Sequence, residues 1–180
     1  KMPMLTINDG LSQGWVNDGM QDKDGFIWLA TPDGLNRYDG YEFKVYRNVP
    51  GDSFSLPVNH INCMAEDDNG NFWVGTSWKG LYLFDRKKDR FYPVPLYSDS
   101  MNVKGASVIF LRCQNKKLFV GFPRVMFVLD ISSITDEDYS TDSLSKKAKP
   151  MASCSVATAA QPIAYYFLYP DNSIEAMSID

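Results

Sequence analysis

Apolar and polar positions alternate along this chain in runs of four to six residues, and most runs end at glycine, asparagine or aspartate. Alternation with a period of two is the mark of a strand buried on one face, and the residues closing each run are those that build tight turns. In the first fifty residues the pattern predicts four strands, at about 15–21, 26–30, 35–38 and 42–46. The pairs Asp24-Gly25 and Asn69-Gly70 predict two-residue type I′ hairpins, which need positive φ at both central positions. Gly34 and Gly80 serve the second hairpin of their segments, and Asp39-Gly40 serves the third.

The pattern repeats. Residues 22–31, DKDGFIWLAT, recur as residues 67–76, DDNGNFWVGT, so that Trp28 and Trp73 stand 45 residues apart. Gly34-Leu35 and Asp39 recur as Gly80-Leu81 and Asp85, with one extra residue near Trp78 and Lys79. A weaker third copy carries Phe119 where the tryptophan stood, and a trace of a fourth surrounds Ile174. Four antiparallel strands repeating at about 45 residues are the signature of a β-propeller blade. Helical repeats are excluded by the Asp-Gly and Asn-Gly pairs, and leucine-rich repeats by the length of the period. The fold expected is all-β, an incomplete propeller of three to four blades. Its parts are a strand of a neighbouring blade at 1–10, blades at 11–50, 51–97 and 98–131, a Ser/Thr-rich connection at 132–161 with a short helix near 136–147, and a partial blade at 162–180. Trp28, Trp73 and, less fully, Phe119 should fill the space between blades. The run 4–7 reads as an outer strand whose blade is missing, and open sheet edges of this kind favour association between copies of the chain.

Composition narrows the function. Lys and Arg number 18 against 22 Asp and Glu, a net charge of -4, which offers no electrostatic footprint for nucleic acid. No apolar run approaches the roughly 20 residues of a membrane-spanning helix. The three cysteines form no CxxC pair and His60 is the one histidine, so no zinc frame exists and no cofactor is expected. The chain opens Lys1-Met2-Pro3-Met4, with no charged and apolar leader. The aspartates 22, 24, 33, 39, 67, 68 and 85 recur with the repeat at turns, where a carboxylate accepts backbone hydrogen bonds, so none stands out as a catalytic acid. His60 has no sequence-local partner for a nucleophilic relay. Binding is favoured over catalysis.

Residues 11–95 resemble two regulator-propeller repeats of the periplasmic sensor regions of Bacteroides-type hybrid two-component systems. Residues 21–31, 33–43 and 68–76 carry the likeness. The resemblance implies the front of the extracytoplasmic part of an inner-membrane receptor that senses oligosaccharides and signals to a histidine kinase for polysaccharide-utilisation gene control. No kinase motif is present in this chain, so any enzymatic output belongs to the larger receptor.

In a propeller the second-to-third-strand loop and the loop into the next blade open on one face. Trp78, Lys79 and Arg124 belong to the first kind of loop, with Asp33 beside them, and Asn59 and His60 to the second. A sugar ring can stack on Trp78, and the polar side chains suit an acidic or hydroxyl-rich ligand. The opposing reading folds Trp78 onto its own blade and leaves Arg124 a solvated charge. The chain is then a scaffold for protein interaction or dimerisation with no ligand site of its own.

Overall fold

The computed structural model describes residues 5–96, 103, 105–148, 150–155, 164–168 and 174–178. Strands β1 (Asp18–Gln21), β2 (Ile27–Thr31), β3 (Gly34–Tyr38) and β4 (Phe43–Tyr46) form one antiparallel sheet in chain order. Strands β5 (Ile61–Glu66), β6 (Phe72–Thr76), β7 (Gly80–Asp85) and β8 (Arg90–Val94) form a second. The third is built of β9 (Phe110–Gln114), β10 (Lys117–Gly121), β11 (Val125–Asp130) and β12 (Pro150–Ser155). A hairpin of β13 (Ala164–Leu168) and β14 (Ile174–Ser178) follows. The innermost strands β1, β5 and β9 lie side by side, so the sheets stack face to face as successive blades.

The middle sheet shows why. Along β6 every residue is buried, and the pleat sends alternate side chains into two different cores. Phe72 and Val74 join Trp28, Leu35 and Ile61 between the first and second sheets. Trp73 joins Val108, Leu118, Val120 and Phe127 between the second and third. Trp28 lies 4.7 Å from Phe72, ring centre to ring centre, and 5.9 Å from Tyr46, with no exposed surface. At Gly75 an added Cβ would stand 2.5 Å from Cys63 Sγ and 2.8 Å from Val108 Cγ1, so the close approach of the second and third sheets depends on glycine there.

Each tryptophan is tied to the aspartate six residues before it. Trp28 Nε1 donates to Asp22 Oδ2 at 2.8 Å, and Trp73 Nε1 to Asp67 Oδ2 at 3.0 Å. The other oxygen of Asp22 accepts from the amides of Asp24 and Phe26 at 3.0 and 2.9 Å. That of Asp67 accepts from Asn69 and Asn71 at the same distances. A second device also recurs: Asn17 Nδ2 donates to the Ile61 carbonyl of the next sheet at 2.7 Å, and Asn62 Nδ2 to that of Val108 at 2.8 Å.

Several expectations are corrected. The first hairpins of the first two sheets are not type I′. The amide of Asp22 donates to the Phe26 carbonyl and that of Gly25 to the Asp22 carbonyl, both at 3.0 Å, and only Gly25 has positive φ. This is a longer turn with a left-handed glycine, whose amides the aspartate gathers. The type I′ form occurs in the third sheet, where Asn115 and Lys116 both have positive φ between paired Gln114 and Lys117. In place of a strand over 4–7, Ile7–Asp9 forms one 3-10 turn capped by Thr6, because the Thr6 hydroxyl accepts from Asn8 and Asp9 accepts from Thr6. Met4 lies outside the described residues. The Ser/Thr-rich connection is interrupted by structure. It holds a 3-10 turn (Asp136–Asp138), helix α1 (Thr141–Lys147) capped by Ser140, and β12, the outer strand of the third sheet. The expected helix over 136–147 is split because Ser140 is extended and caps α1 with its side chain.

Asp67→Ala orphans the Trp73 indole and two turn amides and should cost about 3 kcal/mol in urea unfolding, whereas Gln114→Ala, at the same register in the third sheet, should cost less than about 0.5 kcal/mol. Gly75→Ala should destabilise by about 1–3 kcal/mol through overpacking.

Candidate functional site

At one end of the sheets, the β2–β3 and β6–β7 connections share a bond: Thr31 Oγ1 donates to the Gly34 carbonyl at 3.0 Å and Thr76 Oγ1 to that of Gly80 at 2.8 Å. The second connection is one residue longer, and the extra length places Trp78 in left-handed backbone, φ 61°, with 61% of its surface exposed. The Trp78 amide donates to Ser107 Oγ at 3.1 Å, and Ser77 Oγ donates to Asn62 at 2.9 Å, so the loop is held from both sides. The His60 ring stands edge-on to Trp78, centres 5.8 Å apart. Beside it Asn59 Nδ2 donates to Asp33 Oδ1 at 3.2 Å, and Arg47 pairs with Asp33 Oδ2 at 3.0 Å.

Of the six residues singled out in the sequence, four meet in two pairs joined by the consecutive Asn59 and His60: Asp33 with Asn59, and Trp78 with His60. The other two lie apart. Lys79 lines a separate hollow of about 370 Å³ with Pro93, Val103 and Phe122, and the exposed Arg124 is joined to none of the others. Arg47 went unnoticed in the sequence because its partner, Asp33, is 14 residues away in a different turn. Among the described residues no group of three or more His, Cys, Asp or Glu side chains is placed to hold a metal, and no helix is long and apolar enough to cross a membrane.

At the opposite end of the strands the turns of the first two sheets and the segment before α1 enclose a cleft of about 640 Å³. Arg86 is its hub. One nitrogen meets Asp22 Oδ2 at 2.8 Å, and the other meets Glu66 Oε1 at 2.6 Å and the Gly70 carbonyl at 3.0 Å. Lys87 pairs with Asp136 at 2.6 Å. Tyr139 donates to Asn71 Oδ1 at 2.8 Å, and burial pushes its hydroxyl above the usual tyrosine range. The Lys147 ammonium, with the Thr135 amide, holds the Asp138 carboxyl below its usual range. Thiol chemistry is suppressed in the core. Burial raises Cys63, and burial together with Asp67, Asp68 and Glu66 pushes Cys113 up to about 12.

Comparison with known proteins finds likeness in both sequence and fold. Residues 55–78 match the family model described as two component regulator propeller. That segment matches a regulator-propeller repeat. Over 52 residues it is 56% identical to Histidine kinase P4 of Formosa agariphila, a stretch that is 29% of this chain and 4% of that protein. In fold it is similar to the extracellular domain of a hybrid two-component system from B. thetaiotaomicron, with TM-score 0.62, 23% identity, and coverage of 98% of this chain and 25% of the other. A one-component system's extracellular domain from the same organism matches with TM-score 0.59 and 14% identity, over 97% of this chain and 27% of that one. The chain thus spans about a quarter of those extracellular domains, and the likeness is one of fold.

The wall of the cleft should respond to acid. A carboxyl whose folded pKa is lowered stabilises the fold above its unfolded value and loses that contribution as pH falls through the folded value. The Thr135 amide, which donates to Asp138 Oδ2 at 3.0 Å, should report this by NMR with a midpoint below the ordinary 3.8. A midpoint at or above 3.8 would contradict the Lys147–Asp138 pairing.

Proposed function

We propose that this chain is part of the periplasmic sensor region of a hybrid two-component receptor, and that the end of the sheets bearing Trp78 contributes to oligosaccharide recognition. The observation that carries this reading is Trp78 itself. Trp28 and Trp73 are fully buried and belong to the repeat, whereas Trp78 is 61% exposed in a loop lengthened beyond the repeat and held in an unfavoured backbone conformation. A bulky residue kept at positive φ and in water contributes nothing to the cores, and strain of that kind collects at sites of recognition. Its ring offers an apolar face for a sugar ring. The polar edge around it supplies what sugar hydroxyls need: Asp33 accepts, Asn59 donates and accepts, and the imidazole of His60 does both.

Such a surface suits a sensor better than an enzyme. The four residues include no carboxyl pair set apart in a cleft, and the His60 ring stands perpendicular to an indole and not against a nucleophile. Recognition at the blade ends would act on the kinase through the remainder of the receptor.

Trp78→Ala in the intact receptor should abolish the transcriptional response to its inducing glycan. Melting of the chain should stay within about 0.5 kcal/mol of the parent, since the residue is exposed. A retained response in a normally folded variant would remove Trp78, and with it this end of the sheets, from recognition.

A further inference from the structure

The cleft at the other end of the strands, far from Trp78, has most of its charges neutralised. Asp22 and Glu66 are taken by Arg86, and Asp136 by Lys87. Arg37 is the exception. Its Nε is buried with no hydrogen-bond partner, its guanidinium lies over the Phe26 ring at 4.6 Å, and it forms no ion pair among the described residues, acting on Asp39 and Asp89 only at longer range. Arginine does not shed its charge in a protein, so a dry donor on a guanidinium is a standing demand for an acceptor. Lys23, also on the cleft, likewise has no ion-pair partner among the described residues, its ammonium lying over Gly70. The same walls carry Asp24, whose nearest cation is Arg86 at 4.0 Å, and the carboxylate of Asp136.

This combination selects a ligand. An unpaired guanidinium fork fits a carboxylate in two parallel hydrogen bonds. The neighbouring carboxylates repel a bare, densely charged anion but accept hydrogen bonds from hydroxyls. The volume falls in the range of small-molecule sites, about 300–1,000 Å³. We propose that this cleft binds a small hydroxy-carboxylate, its carboxylate on Arg37 with Lys23 beside it and its hydroxyls on Asp24 and Asp136. Because the cleft spans the first two sheets and the segment before α1, occupancy fastens three parts of the chain to one another.

The test is calorimetric titration of the 180-residue chain with sodium gluconate, with sorbitol, which keeps the hydroxyls and lacks the carboxylate, and with sodium sulfate at matched ionic strength. Gluconate should bind, sorbitol should not, and sulfate should bind at least tenfold more weakly. Arg37→Met, which keeps the stem over Phe26, should weaken gluconate by roughly tenfold or more, as loss of a charge-assisted hydrogen bond implies. If that variant fails to fold, the Arg37 Nε–H resonance of the parent chain decides: it should move downfield on titration. No gluconate binding, equal binding of sulfate, unchanged affinity in Arg37→Met, or a stationary Nε–H signal would each overturn the proposal.

Discussion

A carboxylate buried beside an indole governs this structure. Asp22 and Asp67 are almost without solvent contact, a placement that is costly for a charge unless every lone pair finds a donor. Each finds at least three: two backbone amides of its own turn and the N–H of the tryptophan six residues on. The bond therefore fixes two things together, the shape of the first hairpin and the position of the side chain that fills the gap to the next blade. Asp22 goes further and holds Arg86 of the neighbouring sheet, so the turn of one blade is tied to the turn of the next. In the third sheet Gln114 and Phe119 stand at these two places, and the hairpin shortens to a two-residue turn. The carboxylate, the indole and the longer turn are kept or lost as one unit.

With that frame set by the repeat, the residues that depart from it carry the individuality of the chain. One departure is an insertion of a single residue, which lifts Trp78 into solvent at one end of the sheets. Another is the long connection between β11 and β12, which folds back beneath the second sheet, where the Ile134 carbonyl accepts from Asn71 Nδ2 at 3.0 Å, and walls a cleft at the other end. The two ends are chemically different. The first offers an exposed aromatic face with a polar edge, the second a charged recess in which one guanidinium, stacked on Phe26, forms no ion pair among the described residues.

How much of this was legible depended on range along the chain. The blade frame could be read because the spacing of Trp28 and Trp73 is local information repeated, and both prove fully buried. The Asn17 and Asn62 clamps stand at the same spacing and were legible in principle, though each meets its acceptor only in the next sheet. Turn type was misread because Asp-Gly alone does not reveal that the preceding aspartate will gather the turn amides. The strand β12 was hidden because a helical segment intervenes before the third sheet is completed. Loop topology named Asp33, Asn59, His60 and Trp78, which meet in pairs, together with Lys79 and Arg124, whose directions depend on the local course of each turn. The cleft left no mark in the sequence at all, since Arg37, Arg86 and Tyr139 come from two repeats and an insertion.

The central claim is that buried indoles build the frame while one of the two exposed ones, Trp78 and not Trp15, recognises the ligand. The chain has four tryptophans, and a ¹⁵N-correlated NMR titration of their indole N–H signals with the inducing glycan reads all of them at once. The Trp28 and Trp73 signals should be protected from hydrogen exchange and stationary, that of the exposed Trp15 should exchange freely and stay in place, and that of Trp78 should exchange freely and move. Fast exchange at Trp28 or Trp73, or a glycan-induced shift confined to those two, would contradict the account.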